Sequence, residues 1–441
     1  MKLFYQIVCC SLFLFLTACG GGSSTPTYTV GGTVSGLTSG SLVLKNNGGD
    51  ALTISANSTS FTFDTGLASG AAYAVTAGTQ PNRLACEVTN NTGTIASANV
   101  TGVTITCIAP VYVANGSSNT VSMYEMDATT GILTPLATPT VATGTTPASI
   151  IINPAGTFAY VMNYQSNTVS MYAINASTGI LTALSTPTVA TGTSPSSIII
   201  NPAGTFAYVA NLQNATVSMY AINATTGILS PLATPTVATG NFPRSIAVNH
   251  AGTSAYVANQ GSSTVSMYAI NATTGELTPL ATPTVATQQM PFSIAVNPAG
   301  TFAYVANNKS DTVSMYAINA TTGILTPLAT PTVATEIFPN SIVVNPAGTF
   351  AYVTNAISNT VSMYAINSTT GILTALTTPT VATETLPVSI AVNHAGTFAY
   401  VANNDSNTLS MYTINATTGI LTPLATPTVA TGTDPTSVAF K

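Results

Sequence analysis

The chain has 441 residues, of which 46% are hydrophobic and 4% charged, with six Lys and Arg against eleven Asp and Glu. A net charge of −5 with so few cations excludes nucleic acid as a partner, because phosphate binding requires clustered Lys and Arg. The same scarcity removes most of the side chains that acid–base, phosphoryl-transfer or metal chemistry uses.

The first 18 residues have the pattern of a secretory signal peptide. Lys2 precedes the apolar stretch 7–16, which is shorter than the roughly 20 residues of a membrane-spanning helix. Small residues then lead to Cys19, as in an ordinary cleaved signal or in a lipoprotein signal. Residues 19–26 are rich in Gly and Ser, and we interpret them as a flexible tether.

Leu16-Thr17-Ala18-Cys19 resembles a bacterial lipobox, which implies that Cys19 is the lipidated first residue of the mature protein. Gly20 follows it, and by resemblance to Gram-negative lipoproteins this favours the outer membrane, facing the periplasm or the surface. We therefore expect a monomer of the cell envelope that contacts the membrane only through its lipid anchor.

Five cysteines occur, and three of them belong to the signal peptide or the lipidation site. The remaining two, Cys86 and Cys107, lie in an oxidising compartment, where a disulfide persists. No His or third Cys is near them in the sequence, so a metal pair is disfavoured. We predict a disulfide that stabilises the fold by about 3 kcal/mol.

Residues 27–109 alternate apolar and polar positions in short runs, which is typical of half-buried strands. Four such runs are Ser41–Leu44, Ser60–Phe63, Tyr73–Thr76 and Val103–Thr106, and Asn47–Asp50 has the composition of a hairpin turn. The segment resembles the immunoglobulin- or transthyretin-like sandwiches of bacterial envelope proteins. We expect a spacer domain, with carbohydrate binding as the alternative.

From residue 110 onward one unit repeats every 48 residues, without insertion or deletion. Its clearest marker is a tyrosine that occurs seven times: Tyr112, Tyr160, Tyr208, Tyr256, Tyr304, Tyr352 and Tyr400. Each unit holds four strand signals, named A to D; in the fourth unit they are Ser245–Val248, Ala255–Ala258, Thr264–Ile270 and a strand that begins at Leu277.

Strand C carries apolar residues on both faces, which predicts a sheet buried between two neighbours, as in a β-propeller. The first unit begins in strand B at Val111, and the last strand A signal is Ser437–Phe440. Seven complete sheets result only if that last strand joins the first unit. We predict an all-β protein in which a seven-bladed propeller over residues 110–441 follows the small β-sandwich.

Tyr352-Val353-Thr354-Asn355 matches the signature of YVTN-type propeller repeats, and Asn-Pro-Ala-Gly-Thr and Thr-Gly-x-Leu flank it in most units. The repeats resemble the blades of lactonase-like propellers, a family that includes 6-phosphogluconolactonases. The resemblance implies lactone hydrolysis, yet few residues could perform it. His250 and His394 occupy turns between strands A and B, on the face opposite Arg244, and no catalytic triad or metal-binding motif is present.

The seven units differ mainly in the B–C loops and the D–A segments, which emerge on one face of a propeller. The most variable position follows the proline before strand A and should ring the mouth of the central channel. The candidate ligand-binding residues on this face are Arg244, Phe292, Asn340, Asp311, Glu336, Glu384, Asp405 and Asp434.

The clustering on one face favours a lipid-anchored binding or scaffold protein, whose partner is a protein, a glycan or a small molecule. Drift in exposed loops would also produce such variation. We expect no cofactor. A minor alternative is Ca²⁺ bound along the acidic arc, which consists of Asp311, Glu336, Glu384, Asp405 and Asp434. A lactonase that acts on a sugar-acid lactone is the alternative function.

Overall fold

The structure, a computed structural model, describes residues 25–441. All regular elements in that range are β-strands, as the abundance of Val, Thr, Tyr and Ile favours. None of the described residues form a helix long and apolar enough to cross a membrane. The predicted signal peptide (residues 1–18), Cys19 and most of the tether (residues 19–26) lie outside the described residues.

The segment before the repeats contains nine short strands and most of a tenth, long one. They are β1 (Thr27–Tyr28), β2 (Val30–Ser35), β3 (Ser41–Asn46), β4 (Asp50–Ser55), β5 (Ser60–Thr62), β6 (Leu67–Ala68), β7 (Ala72–Thr79), β8 (Ala85–Thr89), β9 (Thr92–Thr94) and β10 (Val100–Asn115). One sheet has the order β4-β3-β7-β9, a second contains β5-β2-β10-β8, and β1 pairs with β6. The four predicted strands correspond to β3, β5, β7 and β10.

Both sheets contribute to one hydrophobic core, which makes this domain a β-sandwich. Leu42 and Leu44 of β3 contact the same buried cluster as Val103 and Ile105 of β10. The predicted disulfide is confirmed: Cys86 and Cys107 are directly opposite each other on β8 and β10, with an S–S distance of 2.02 Å. The disulfide links these two neighbouring strands at the end of the sandwich that is nearer to the repeats.

Each repeat unit forms one four-stranded antiparallel sheet, with A innermost and D outermost. The strands, in the order A to D, are β37 (Pro435–Phe440), β10, β11 (Thr120–Met126) and β12 (Leu133–Ala142) in blade 1; β13 (Pro147–Ile152), β14 (Phe158–Asn163), β15 (Thr168–Ile174) and β16 (Leu181–Ala190) in blade 2; β17 (Pro195–Ile200), β18 (Phe206–Asn211), β19 (Thr216–Ile222) and β20 (Leu229–Ala238) in blade 3; β21 (Pro243–Val248), β22 (Ser254–Asn259), β23 (Thr264–Ile270) and β24 (Leu277–Ala286) in blade 4; β25 (Pro291–Val296), β26 (Phe302–Asn307), β27 (Thr312–Ile318) and β28 (Leu325–Ala334) in blade 5; β29 (Pro339–Val344), β30 (Phe350–Asn355), β31 (Thr360–Ile366) and β32 (Leu373–Ala382) in blade 6; and β33 (Pro387–Val392), β34 (Phe398–Asn403), β35 (Thr408–Ile414) and β36 (Leu421–Ala430) in blade 7.

The hydrophobic cores lie between adjacent blades, because strands B and C are buried on both faces. All six residues of β14 are buried, as are Val169–Tyr172 of β15. One core joins Met123 of blade 1 to Ile150 and Val161 of blade 2, and equivalent cores follow around the ring. This confirms the reading of strand C as a strand packed between two neighbouring sheets.

The ring closes as the offset of the repeats predicts. Strand β37 pairs antiparallel with β10, for example Val438 opposite Val113, and so completes blade 1. Strand β10 also continues back into the sandwich, where it pairs with β2 and β8. The sequence-based domain boundary at residues 109 and 110 therefore falls inside one continuous strand, with no linker between the two domains.

Two tyrosines per blade connect neighbouring blades. The strand B tyrosine, here Tyr160, is fully buried and donates a hydrogen bond of 2.8 Å to the carbonyl of Gly227 in the next blade. The strand C tyrosine, here Tyr172, donates one of 2.6 Å to the carbonyl of Ala142 in the preceding blade. Each phenol thus satisfies a backbone group, and burial raises the pKa of both hydroxyls.

The asparagines of the repeat build turns and strand pairs. Asn175, the first residue of an Asn-x-Thr/Ser sequence, accepts hydrogen bonds from the backbone amides of Ser177 and Thr178 and so forms the C–D turn. Asn211, at the end of strand B, donates to the hydroxyls of Thr216 and Ser218 on strand C. These asparagines therefore stabilise the turns and strand pairs of each blade.

Candidate functional site

The most variable position of the repeat lines the mouth of the central channel, as predicted. All seven residues surround a cavity of about 360 Å³: Ala148, Ser196, Arg244, Phe292, Asn340, Val388 and Thr436. The residue that follows each of them is serine, and these also line the cavity: Ser149, Ser197, Ser245, Ser293, Ser341, Ser389 and Ser437. The channel mouth therefore combines a hydroxyl-rich ring with one variable side chain from each blade.

The position of this ring follows from the start of strand A. The proline before each variable residue is buried and begins the strand, so the next residue is held at the channel. The serine that follows connects the blades: Ser245 Oγ accepts a hydrogen bond of 3.3 Å from the amide of Ile294, and Ser293 Oγ accepts one of 3.2 Å from Ile342. Rigid strands rather than loops therefore hold the seven variable residues and the seven serines.

Arg244 supplies the cation of the mouth. Its guanidinium carbon lies 4.1 Å from the centre of the Phe292 ring, a cation–π contact between blades 4 and 5. Burial lowers the pKa of the guanidinium, and the nearby Tyr164 hydroxyl opposes that shift. The group remains charged at neutral pH, because the pKa of arginine lies so far above 7. Within the described chain, the mouth lining contains no Asp, Glu, His or Cys.

Two further lining residues, Tyr164 and Asn404, were not predicted from the sequence. Both occupy the first position of a B–C loop, and the backbone amide of Tyr164 donates 2.8 Å to the carbonyl of Thr146 in the adjoining D–A segment. Buried Asn308 has the same position in blade 5, where it donates 2.7 Å to Asn340 Oδ1. Variation at this loop position between units was the signal that could have identified them.

The predicted acidic arc lies on the same face, outside the mouth lining. Glu336, Glu384 and Asp405 are exposed on separate loops. Asp311 accepts a hydrogen bond of 2.9 Å from the amide of Phe338, as asparagines do in other blades, and Asp434 accepts one from the Ser117 hydroxyl. Among residues 25–441, no three His, Cys, Asp or Glu side chains are grouped as a metal site would need.

The two histidines lie away from the channel mouth, on exposed A–B turns as predicted. His394 borders a separate cavity of about 220 Å³ between the sandwich and the propeller, together with Arg83, Phe440 and Lys441. Partial loss of solvent around the ring where it borders this cavity, and secondly the positive charge of Arg83, lower the pKa of His394 to about 4, so its ring is neutral at pH 7. Neither histidine can act on a group bound beside Arg244.

Similar proteins were found at the level of family and fold. The model of the family described as "Lactonase, 7-bladed beta-propeller" matches residues 109–290, 281–338 and 330–440. A candidate 6-phosphogluconolactonase from Bacteroides fragilis is 22% identical, with a TM-score of 0.67 over 76% of this chain and 98% of that one. The periplasmic gluconolactonase of Pseudomonas aeruginosa is 20% identical, with a TM-score of 0.66 over 76% and 99%.

A comparison with curated proteins gave no match. The two solved structures, at this low identity, support the fold alone, whereas the family match covers the whole repeat region. The seven blades, the closing strand β37 and the family match agree with one another, and the chain is a member of the lactonase family of seven-bladed β-propellers.

Proposed function

We propose that the protein is a lactone hydrolase whose substrate binds at the channel mouth beside Arg244. Membership of the lactonase family supports this function over the lipid-anchored binding or scaffold role that the clustering of variation on one face favoured. The observation that carries the proposal is the placement of Arg244, which is half-buried in a cavity of about 360 Å³ with no acidic residue in its lining within the described chain. An unpaired guanidinium there is available to an oxygen of the ligand.

The reaction needs a water molecule to attack the lactone carbonyl carbon, after which the ring C–O bond breaks and a hydroxy acid forms. Negative charge develops on the carbonyl oxygen, and Arg244 stabilises it by electrostatic attraction and hydrogen bonding. Phe292 beneath the guanidinium restricts its orientation. The proton of the attacking water passes to solvent, and a proton from solvent reaches the leaving alkoxide. This pathway predicts a rate that rises with pH without a bell-shaped optimum.

A second candidate function is binding of a lactone or related ligand without turnover. The specific observation in its favour is that the described lining of the mouth holds no His, Asp, Glu or Cys, so no side chain with a suitable pKa can take the proton. The two functions share one site and differ in the fate of the ligand.

The decisive experiment is an assay of the purified propeller protein with glucono-δ-lactone and 6-phosphogluconolactone, following acid release above the spontaneous rate. Wild type should show turnover, and Arg244→Gln should lower kcat/KM by about 10²-fold. His250→Ala, on the opposite face, is the control and should keep wild-type activity. Binding in calorimetry without acid release would support the second function, and neither binding nor release would refute both.

We also propose that the protein is attached to the cell envelope through a lipid on Cys19. The support is the lipobox-like Leu16–Cys19 and the Gly- and Ser-rich tether that follows. In this arrangement the tether connects the lipid to the first strand of the sandwich. Because the sandwich shares strand β10 with the propeller, the two domains would be held away from the membrane as one unit.

A further inference from the structure

The residue before each strand A proline adopts a left-handed backbone conformation in all seven blades. These residues have φ between 52° and 62°: Thr146, Ser194, Phe242, Met290, Phe338, Leu386 and Asp434. Three of them are polar, so the turn itself does not require an apolar side chain. Bulky apolar residues are unusual at such φ values and cost stability, yet four consecutive junctions carry them.

Two of these residues line a shallow depression of about 610 Å³ on the variable face. Phe242 is 51% exposed there, and Met290 lines the same depression together with Gln260, Gln289 and Lys309. An aromatic ring exposed to this extent gains little from burial in the folded chain itself. The apolar surface of the depression is therefore available to a ligand.

Two short chain segments join residues of the depression to residues of the channel mouth. Phe242 is joined to Arg244 by Pro243 alone, and Met290 is joined to Phe292 by Pro291 alone. Two residues span at most about 7 Å, so the apolar pair and the stacked Arg244–Phe292 pair lie within the length of one small molecule. A ligand that reaches both has a hydrogen-bond-accepting head and an apolar tail.

We infer that the substrate is a lactone with an apolar acyl or alkyl substituent, its ring beside Arg244 and its chain over Phe242 and Met290. This inference rests on the proposed lactonase function and specifies its substrate class. Besides Phe242 and Met290, the depression is lined by neutral amide and hydroxyl side chains and by one cation, Lys309, which is exposed. A phosphorylated sugar lactone suits it less well, because a phosphate group is bound best by clustered cations.

The test measures kcat/KM for γ-lactones of increasing chain length, from butyrolactone to decanolactone, beside 6-phosphogluconolactone. Wild type should gain about two- to fourfold per methylene until the depression is filled. Phe242→Ser and Met290→Ser, which introduce the residue found at the corresponding Ser194, should bring the ratio between octanolactone and butyrolactone close to one. Leu386→Ser changes the same backbone position outside the depression and should leave that ratio unchanged.

Rates independent of chain length, preference for the phosphorylated lactone, or the same slope in Phe242→Ser would each overturn the inference. If no lactone is hydrolysed, the proposed lactonase activity is refuted separately from the substrate class. Calorimetry with the same series of lactones then tests whether the depression binds their apolar chains. Affinity that rises with chain length in wild type and not in Phe242→Ser supports the subsite. Equal affinities across the series refute it.

Discussion

The hydrogen bond that closes the ring of blades allows a quantitative test. Tyr400 in blade 7 is fully buried, and its hydroxyl donates a hydrogen bond of 2.6 Å to the carbonyl of Gly131 in blade 1. Tyr208 makes the equivalent bond of 2.8 Å to Gly275, between two blades that are consecutive in the chain. Tyr400→Phe and Tyr208→Phe therefore remove the same interaction at the closure and within the ring.

Each substitution leaves a buried carbonyl without its donor, which costs about 1–3 kcal/mol. With an unfolding entropy of roughly 2.1 cal/mol/K per residue over about 330 propeller residues, this corresponds to a loss of about 1–4 °C in Tm. If the closed ring unfolds as one unit, the two variants lose equal stability. Since the sites are far apart, their effects in the double variant should add.

Differential scanning calorimetry and urea unfolding followed by far-UV circular dichroism provide the two measurements. A Tm of Tyr400→Phe equal to that of wild type, beside a lowered Tm of Tyr208→Phe, would contradict closure through this bond. Equal m-values in all variants are the control, because they show that the same surface is exposed on unfolding.

Three further predictions concern covalent structure, pH and membrane attachment. Replacing Cys86 and Cys107 together by Ala should lower the free energy of unfolding of the sandwich by about 3 kcal/mol in urea titrations, and equal stability would exclude a structural role for the disulfide. Burial raises the pKa of Tyr220 and Tyr412 to about 12, against about 10 in the unfolded chain. As the pH rises, the unfolded state therefore loses these protons before the folded state does. The stabilising contribution of the two buried hydroxyls should be fully present below pH 10, and Tm should fall between pH 10 and 12 in thermal melts. A Tm independent of pH across that window would contradict this. Cys19→Ser should move the protein expressed in a Gram-negative host from the detergent phase to the aqueous phase in Triton X-114 partitioning, and unchanged partitioning would contradict the lipid anchor.

Much of the fold could be predicted from the sequence because the repeats are nearly identical. Any residue pattern that recurs every 48 positions must adopt the same local structure each time, and apolar residues on both faces of strand C require neighbours on both sides. The offset between Val111 and Ser437 then predicted closure through the last strand, which β37 and β10 confirm. The continuity of β10 through both domains was missed, because alternation of residue types does not show where a strand changes its partners.

Comparison of the units with each other determined which positions surround the channel mouth, since residues at one repeat position lie on one ring. The sequence could not determine which of those side chains meet. Phe292 lies 48 residues after Arg244, and only the angle between neighbouring blades brings its ring to 4.1 Å from the guanidinium. The same geometry leaves Glu336 and Glu384 on outer loops, although they precede strand A by only a few residues.

By itself, the sequence thus determined the number of blades, the strand order, the closing strand and the variable face, because these depend on local pattern and on counting. The tertiary structure decided how the site is composed: Arg244 lies on Phe292, Tyr164 and seven serines complete the mouth, and the carboxylates stay outside it. The physical reason is that a ring of blades brings residues that are distant in the chain together by rotation about one axis. The number of residues between two side chains therefore does not give the distance between them in space.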